Sequence, residues 1–193
     1  MQRQISFQQY RRMDVFFFTL LLCLGEWLIV MGATRWFPKE AYTLSLTAAV
    51  SALVMIRWGS RALIPALAGG LVFCLASGAS LQHYLIYGLG NAFILALLPL
   101  MKKPGWQKIR ENALLTMTFG WLSCLAMDAG RMIISLIWGN GLRECLGFFT
   151  TDMLSWLFSA LVLWICRQLD GILEDQKHYL IRIQKEKEEN EGA

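Results

Sequence analysis

Charged residues are scarce in this sequence: they make up 17% of the chain, whereas hydrophobic residues make up 56%. The mean hydropathy of +0.45 is far from that of an ordinary soluble domain. The two histidines are too few to favour a histidine-based metal site. The five cysteines are scattered and form no C-x-x-C pair, so we interpret them as apolar packing residues rather than a disulfide framework or zinc ligands.

Motifs for nucleotide hydrolysis and for common hydrolases are also missing. The chain has no G-x-x-x-x-G-K-[ST], which argues against ATP hydrolysis through a P-loop, and neither H-E-x-x-H nor G-x-S-x-G occurs. The net charge of +4 is small, and we attribute it to membrane topology rather than to a nucleic-acid surface. We therefore expect no enzyme, no cofactor and no metal site. A small intramembrane enzyme with paired carboxylates ranks last among the alternatives.

Six apolar stretches dominate the sequence, each near the ~20 residues that cross a ~30 Å hydrocarbon core. Every backbone polar group in lipid must be bonded internally, so we predict helices rather than open strands. The fold class is therefore an all-α integral membrane protein with one six-helix transmembrane bundle over residues 1–167. The predicted spans are residues 13–33, 41–56, 62–77, 81–101, 112–138 and 146–166.

Lysine and arginine indicate the orientation of this bundle. Of the 18 Lys and Arg residues, Arg35, Lys39 and Arg143 fall in outer loops and Arg131 falls in the membrane, which leaves fourteen inside. This bias predicts that both termini are cytoplasmic. Residues 168–193 combine apolar residues at helical spacing with many charges, and they predict a cytoplasmic amphipathic tail. Such a tail docks a partner, lies on the membrane, or is simply solvated.

Apart from Asp14 at the edge of the first span, four charged residues fall inside the predicted spans: Glu26, Asp128, Arg131 and Asp152. Insertion scales assign a penalty of about 2.5–3.5 kcal/mol to each charge at the bilayer centre. Such charges persist when they pair, face a cavity or bind something. Asp128 and Arg131 are three residues apart on one helix, so mutual neutralisation is an alternative, but it leaves Asp152 and Glu26 without cationic partners.

The predicted topology brings these charges and several polar helix faces to one depth in the outer half of the membrane. We therefore predict an outward-opening pocket in which Arg131 holds an anionic or carbonyl group and the carboxylates accept donors from an amine or ring nitrogen. Tyrosine and tryptophan rings would pack against a ligand ring, and Asn91 would orient the ligand. The predicted substrate-binding residues are Glu26, Tyr84, Tyr87, Asn91, Asp128, Arg131, Asp152, Ser155 and Trp156.

Two further features have open interpretations. Ala62, Ala66 and Gly70 form a small-xxx-small row on the third helix, which either docks a partner or packs internally. The outer loop at residues 34–40 carries Trp36 and Phe37, and it is either a lid beside the pocket or an ordinary interfacial belt.

The stretch Ala62-Leu-Ile-Pro-Ala-Leu-Ala-Gly-Gly-Leu-Val-Phe, in a six-helix chain with a polar outer pocket, resembles the substrate-binding S component of energy-coupling factor (ECF) transporters. The resemblance covers most of residues 13–167. It implies a subunit of the bacterial cytoplasmic membrane that captures a vitamin or related micronutrient. It also implies partners: a transmembrane coupling subunit and two cytoplasmic ATPases, with delivery by toppling in the lipid bilayer.

A second hypothesis comes from another functional class. The chain also resembles the small cell-shape membrane protein that shares a similar helix arrangement, and that resemblance implies a scaffold that works through protein contacts. In that hypothesis the buried charges are packing elements and the tail is the functional end. Retention of a small molecule would favour capture, whereas recruitment of a partner without any ligand would favour the scaffold.

Overall fold

The computed structural model describes residues 7–37, 43–101, 105–169 and 172–173, with side chains left out at 105–107. This part of the chain is helical and contains no strand, which confirms the all-α class. The α-helices are α1 (Phe7–Trp36), α2 (Thr47–Trp58), α3 (Leu63–Ser77), α4 (Leu81–Asn91), α5 (Gly105–Glu111), α6 (Ala113–Ile137), α7 (Leu142–Thr151) and α8 (Met153–Gln168). Short 3₁₀ segments occupy Gly59–Ala62 and Ala92–Met101.

Five helical stretches of the described chain are long and apolar enough to cross a membrane. Large apolar side chains cover their outer surfaces; Leu28, for example, is 70% exposed. Apolar surface of this kind faces lipid in membrane proteins, so the architecture is that of a multi-pass membrane protein. The candidate spans are Phe7–Trp36, Thr47–Ser77, Leu81–Met101, Ala113–Ile137 and Leu142–Gln168. The number six and the orientation remain predictions.

The stretch Thr47–Ser77 consists of two helices that lie side by side. Gly59 has a φ of 60°, a conformation that favours glycine, and the chain reverses there. A Cβ on Gly69 would lie 2.7 Å from Cγ2 of Thr47, whereas one straight helix would separate the two residues by about 33 Å. The reversal leaves α2 in the interior, where residues 51–57 are all buried.

Three boundaries differ from the predicted ones. The second helix begins at Thr47 rather than at residue 41, because residues 43–45 are non-helical and bond to α7 and α8. The fourth predicted span changes to 3₁₀ geometry at Ala92 and contains Pro99, which has no N–H to donate. The sixth divides at Asp152 into α7 and α8.

The predicted tail lies mostly outside the described residues, but its first part packs on the bundle. Leu173 is buried, and the carbonyl of Ile172 accepts a hydrogen bond of 2.7 Å from Nη1 of Arg57. Arg57 also forms a two-point ion pair with Asp14 at 2.8 Å through both Nε and Nη2. The indole of Trp58 donates to the same carboxylate at 2.6 Å. This network fastens the start of α1 to the end of α2.

A close approach of two glycines brings α4 against α6. A Cβ on Gly130 would overlap the carbonyl oxygen of Gly90 and would lie 2.6 Å from Cγ of Phe93. Glycine at both positions lets the backbones touch, as small residues do at membrane helix interfaces. Asn91 and Arg131 each follow one of these glycines, so the contact sets the two polar residues side by side.

Candidate functional site

Arg131 on α6 is the centre of a buried polar cluster and is only 4% exposed. Its Nη1 donates to Oδ1 of Asp128 at 3.0 Å and to Oδ2 of Asp152 at 2.5 Å. Its Nε donates to Oδ1 of Asn91 at 2.8 Å. The guanidinium carbon lies 4.5 Å from the centre of the Tyr87 ring, a cation–π distance. One cation thus connects α4, α6 and the junction of α7 with α8.

Neighbouring donors hold the two aspartates and the amide in place. The indole of Trp156 donates to Oδ2 of Asp128 at 2.8 Å, and the hydroxyl of Thr43 donates to Oδ1 of Asp152. The amide nitrogen of Asn91 donates to the carbonyl of Ala66 at 3.0 Å. Asp128 and Asp152 are 1% and 6% exposed, so these bonds replace the water that the carboxylates lose.

Residues 43–46, which we call the strap, cross over this cluster between α1 and α2. The backbone N–H of Thr43 donates to the carbonyl of Thr151 at 3.0 Å. The hydroxyl of Ser155 donates to the carbonyl of Thr43 at 3.3 Å and accepts the N–H of Ser45 at 3.0 Å. The N–H of Leu46 donates to Oε2 of Glu26 at 2.8 Å. The strap therefore joins α1 to α7 and α8, and its Ser45 lines the same small spaces as Arg131.

Glu26 is fully buried on α1, and only one of its oxygens is bonded. Its Oε1 has no hydrogen-bond partner among the described residues, and the same holds for the hydroxyls of Thr47 and Ser51. A buried polar group without a partner costs about 1–3 kcal/mol, and more when it is charged. The cluster therefore contains free acceptor capacity beside the strap.

The cluster is closed, which differs from the predicted outward-opening pocket. The space bounded by Thr47, Tyr87 and Arg131 has no room for a water molecule. A second space, beside Cys124 and Ser155, has about 10 Å³, which is room for about one water. The side chains and the strap fill the volume that the prediction assigned to a ligand.

A larger, mostly apolar groove of about 850 Å³ lies next to the cluster. It runs along the end of α1 and reaches the strap, α3 and Leu154 of α8. Phe73 lines both the groove and the space beside Arg131, and its ring stacks on Tyr87 with a centroid distance of 4.9 Å. Thr43 also lines the groove while it bonds to Asp152. Phe73 and Thr43 therefore separate the groove from the charges.

Eight of the nine predicted site residues lie in the cluster or bond to the strap that covers it. The exception is Tyr84, which is half-buried and has no hydrogen bond or ring contact to the cluster within the described ranges. Ala62, Ala66 and Gly70 are buried, and Gly70 packs against Asn91 and the Tyr87 backbone. The row packs internally in the described structure, and its use for docking a partner stays an untested prediction.

Trp36 and Phe37 are exposed and line the groove rather than cover the charges. The residues that do cover them, Thr43 and Ser45, lie in the second predicted helix, residues 41–56, but are non-helical in the structure. Thr43, Ser45 and Thr47 are polar at every second position, a spacing typical of an extended segment, and this was the available signal.

Among the residues with described side chains, no group of three or more His, Cys, Asp or Glu residues is arranged to hold a metal ion. The chain matches no protein-family model, no curated protein and no solved structure, so the site must be interpreted from its own geometry.

Proposed function

We propose that this chain is the substrate-capture subunit of an ECF-type importer and binds a vitamin or related micronutrient from outside the cell. In this proposal six helices cross the bacterial cytoplasmic membrane, with both termini in the cytoplasm. The observation that carries the proposal is the buried cluster of Arg131 with Asp128 and Asp152, beside which Glu26 is buried with one carboxylate oxygen that has no partner among the described residues.

The charge content of the cluster supports binding over a purely structural role. Replacing a buried ion pair with apolar residues of similar volume is often neutral or stabilising, so packing alone does not require these charges. Intramembrane charges of this kind more often mark a substrate or ion pathway. Oε1 of Glu26 adds an acceptor that has no hydrogen-bond partner among the described residues.

The strap provides a route for entry. Hydrogen bonds from residues 43–46 to Glu26, Thr151 and Ser155 close one side of the cluster, which the proposed topology places toward the outside. Displacement of the strap exposes Arg131 and Asp152 together, and a ligand then takes over the bonds that Thr43 and Leu46 make in the closed form. Loops that order over a ligand are a common means of closing a binding site.

Energy for release into the cytoplasm comes, in this proposal, from other subunits. The chain has no P-loop of its own. A transmembrane coupling subunit and two cytoplasmic ATPases would supply the conformational work. Because Ala62, Ala66 and Gly70 are buried, docking would use another, lipid-facing surface of the bundle.

The membrane scaffold is the second candidate function, and one observation favours it. The cluster is closed and nearly all of its donors have partners inside the protein, as expected for a structural element. A scaffold would act through its tail. Leu173 and Ile172 pack on the bundle, so a truncation that tests the tail should follow Leu173 rather than Arg167.

Affinity purification of the tagged full-length chain from gently solubilised native membranes tests the proposal. Capture predicts co-purification of a membrane coupling subunit and a pair of ATPases, and a small molecule in the acid extract of the purified protein. The matched sample is the chain truncated after Leu173. Partners that require the tail, with no small molecule in any extract, would overturn capture and establish the scaffold.

A further inference from the structure

We propose that the ligand is an amphipathic cation: a protonated amine that binds among the carboxylates of the cluster, joined to an apolar body that occupies the groove. This inference rests on the proposed capture function and names the substrate class of the same site. It depends on three observations: the excess of carboxylates, the unpartnered oxygen of Glu26, and the position of the groove.

The balance of charge in the cluster favours a positive ligand group. Asp128, Asp152 and Glu26 are three buried carboxylates, and Arg131 is the one guanidinium among the described side chains that contact them. Buried carboxylates in excess of their cationic partners must take up protons or a cation. A ligand ammonium supplies one of the two missing positive charges, together with three hydrogen-bond donors.

The position of the free acceptor identifies where that ammonium binds. Oε1 of Glu26 is fully buried and unpartnered, and Oε2 of the same group is held by the N–H of Leu46 on the strap. The hydroxyl of Thr47, one residue further on, also has no partner among the described residues. An amine that displaces the strap bonds to Oε1 of Glu26 and takes the place of the Thr43 hydroxyl as a donor to Asp152.

The groove fits the rest of such a ligand. Its volume of about 850 Å³ exceeds that of a small ring system, and its walls include Ile29, Val30, Ala33 and Phe73. Ligand sites are typically apolar clefts of roughly 300–1,000 Å³ with a few polar groups that fix orientation. Here the polar groups are those of the cluster, which adjoins the groove at Phe73 and Thr43.

Phe73 and Thr43 link the two parts into one site. Each residue lines the groove, and each contacts the cluster: Phe73 through its stacking on Tyr87 and Thr43 through its bond to Asp152. A change of the Phe73 rotamer and release of Thr43 would make the groove and the cluster continuous. The bound amine would then replace the hydroxyl of Thr43 as a donor to Asp152.

A matched set of three small probes tests this inference on the full chain in lipid nanodiscs. The probes are 2-phenylethylamine, 2-phenylethanol and 3-phenylpropanoate, which share a ring and differ in the charge of the head group. Dissociation constants are obtained from the saturable rise of the unfolding midpoint with probe concentration. We expect the amine to bind at least tenfold more tightly than the alcohol and the carboxylate to bind no better than the alcohol. Equal affinity for all three, or no saturable binding of the amine, would overturn the inference.

Two variants test where each end of the ligand binds, and a third serves as the control. Glu26→Gln should weaken the amine at least tenfold and leave the alcohol unchanged, because it removes charge without changing shape. Ala33→Trp should weaken both probes by filling the groove, while Leu24→Trp, on the lipid-facing side of α1, should weaken neither. Unchanged amine binding in Glu26→Gln or in Ala33→Trp would contradict the placement of that end.

Failure of this inference is distinguishable from failure of the proposed function. A neutral or anionic small molecule that co-purifies with the wild-type chain keeps capture and overturns the cationic ligand class. A phospholipid that occupies the groove and cannot be displaced by the amine also overturns the inference. Capture itself is overturned when no small molecule is found with the wild-type chain, and partners that bind through the tail would then establish the scaffold.

Discussion

Arg131→Met removes the guanidinium that bonds to both Asp128 and Asp152 while it keeps most of the apolar volume of the side chain. The two carboxylates are 1% and 6% exposed, so water does not replace the lost partner. Breaking a buried ion pair from one side typically costs about 3–5 kcal/mol. We expect a loss of that size in the free energy of unfolding, because one cation serves both carboxylates through Nη1.

The same reasoning predicts a rescue. When Asp128→Asn and Asp152→Asn are added to Arg131→Met, no uncompensated charge remains at these positions, and we expect the triple variant to recover all but about 1–2 kcal/mol. Arg167→Met is the matched control, since Arg167 is partly exposed and donates to the carbonyls of Arg110 and Glu111 near the edge of the bundle. We expect it to cost about 1 kcal/mol or less.

Equilibrium unfolding in mixed detergent micelles, followed by tryptophan fluorescence, measures these differences, and the chain contains eight tryptophans. A loss of stability in Arg131→Met no larger than that in Arg167→Met would show that the guanidinium does not stabilise the cluster. A triple variant less stable than Arg131→Met alone would show that the carboxylates do not depend on the guanidinium.

Three further substitutions test how the fold positions the cluster, each by the same unfolding measurement. Gly130→Ala places a Cβ against the carbonyl of Gly90 and should lower the free energy of unfolding by about 1–3 kcal/mol. Gly88→Ala is the control: no atom lies near its Cβ, so it should be neutral or stabilising. Equal effects of the two substitutions would contradict the close contact of α4 with α6. Asp14→Asn replaces a carboxylate that accepts three hydrogen bonds with a neutral amide, and it should lower the free energy of unfolding by about 1.5–3 kcal/mol. A smaller loss would show that the network at the end of α2 is dispensable. Asn112→Ala removes the side-chain cap of α6 and should cost about 1 kcal/mol, with Asn112→Ser close to wild type.

Helical periodicity was sufficient to predict most of the cluster. Asp128 and Arg131 share one face of α6 because they are three residues apart, and Tyr87 and Asn91 share one face of α4 because they are four residues apart. The cost of a charge in lipid then indicated that Asp152 would join them. These inferences need only a helix and a membrane, and both are visible in the sequence.

Tertiary contacts determine the features of the site that helical periodicity does not predict. Thr43 and Ser45 lie in an apolar run that favours a helix, but bonds to Asp152 and Ser155 hold them in an extended segment. The pairing of Asp14 with Arg57 joins residues on different helices, and no local pattern indicates such a pair. Whether the converging side chains leave a cavity depends on how the strap packs, so the closed cluster could not be predicted from the sequence.

Native mass spectrometry of the chain, purified in mild detergent from cells grown in rich medium, tests the central claim most directly. The wild-type chain and Arg167→Met should each carry one small-molecule adduct, whereas the triple variant Arg131→Met, Asp128→Asn, Asp152→Asn should be folded and free of it. An adduct that persists in the triple variant would contradict binding at the cluster. Adduct-free spectra of all three proteins would contradict ligand capture itself.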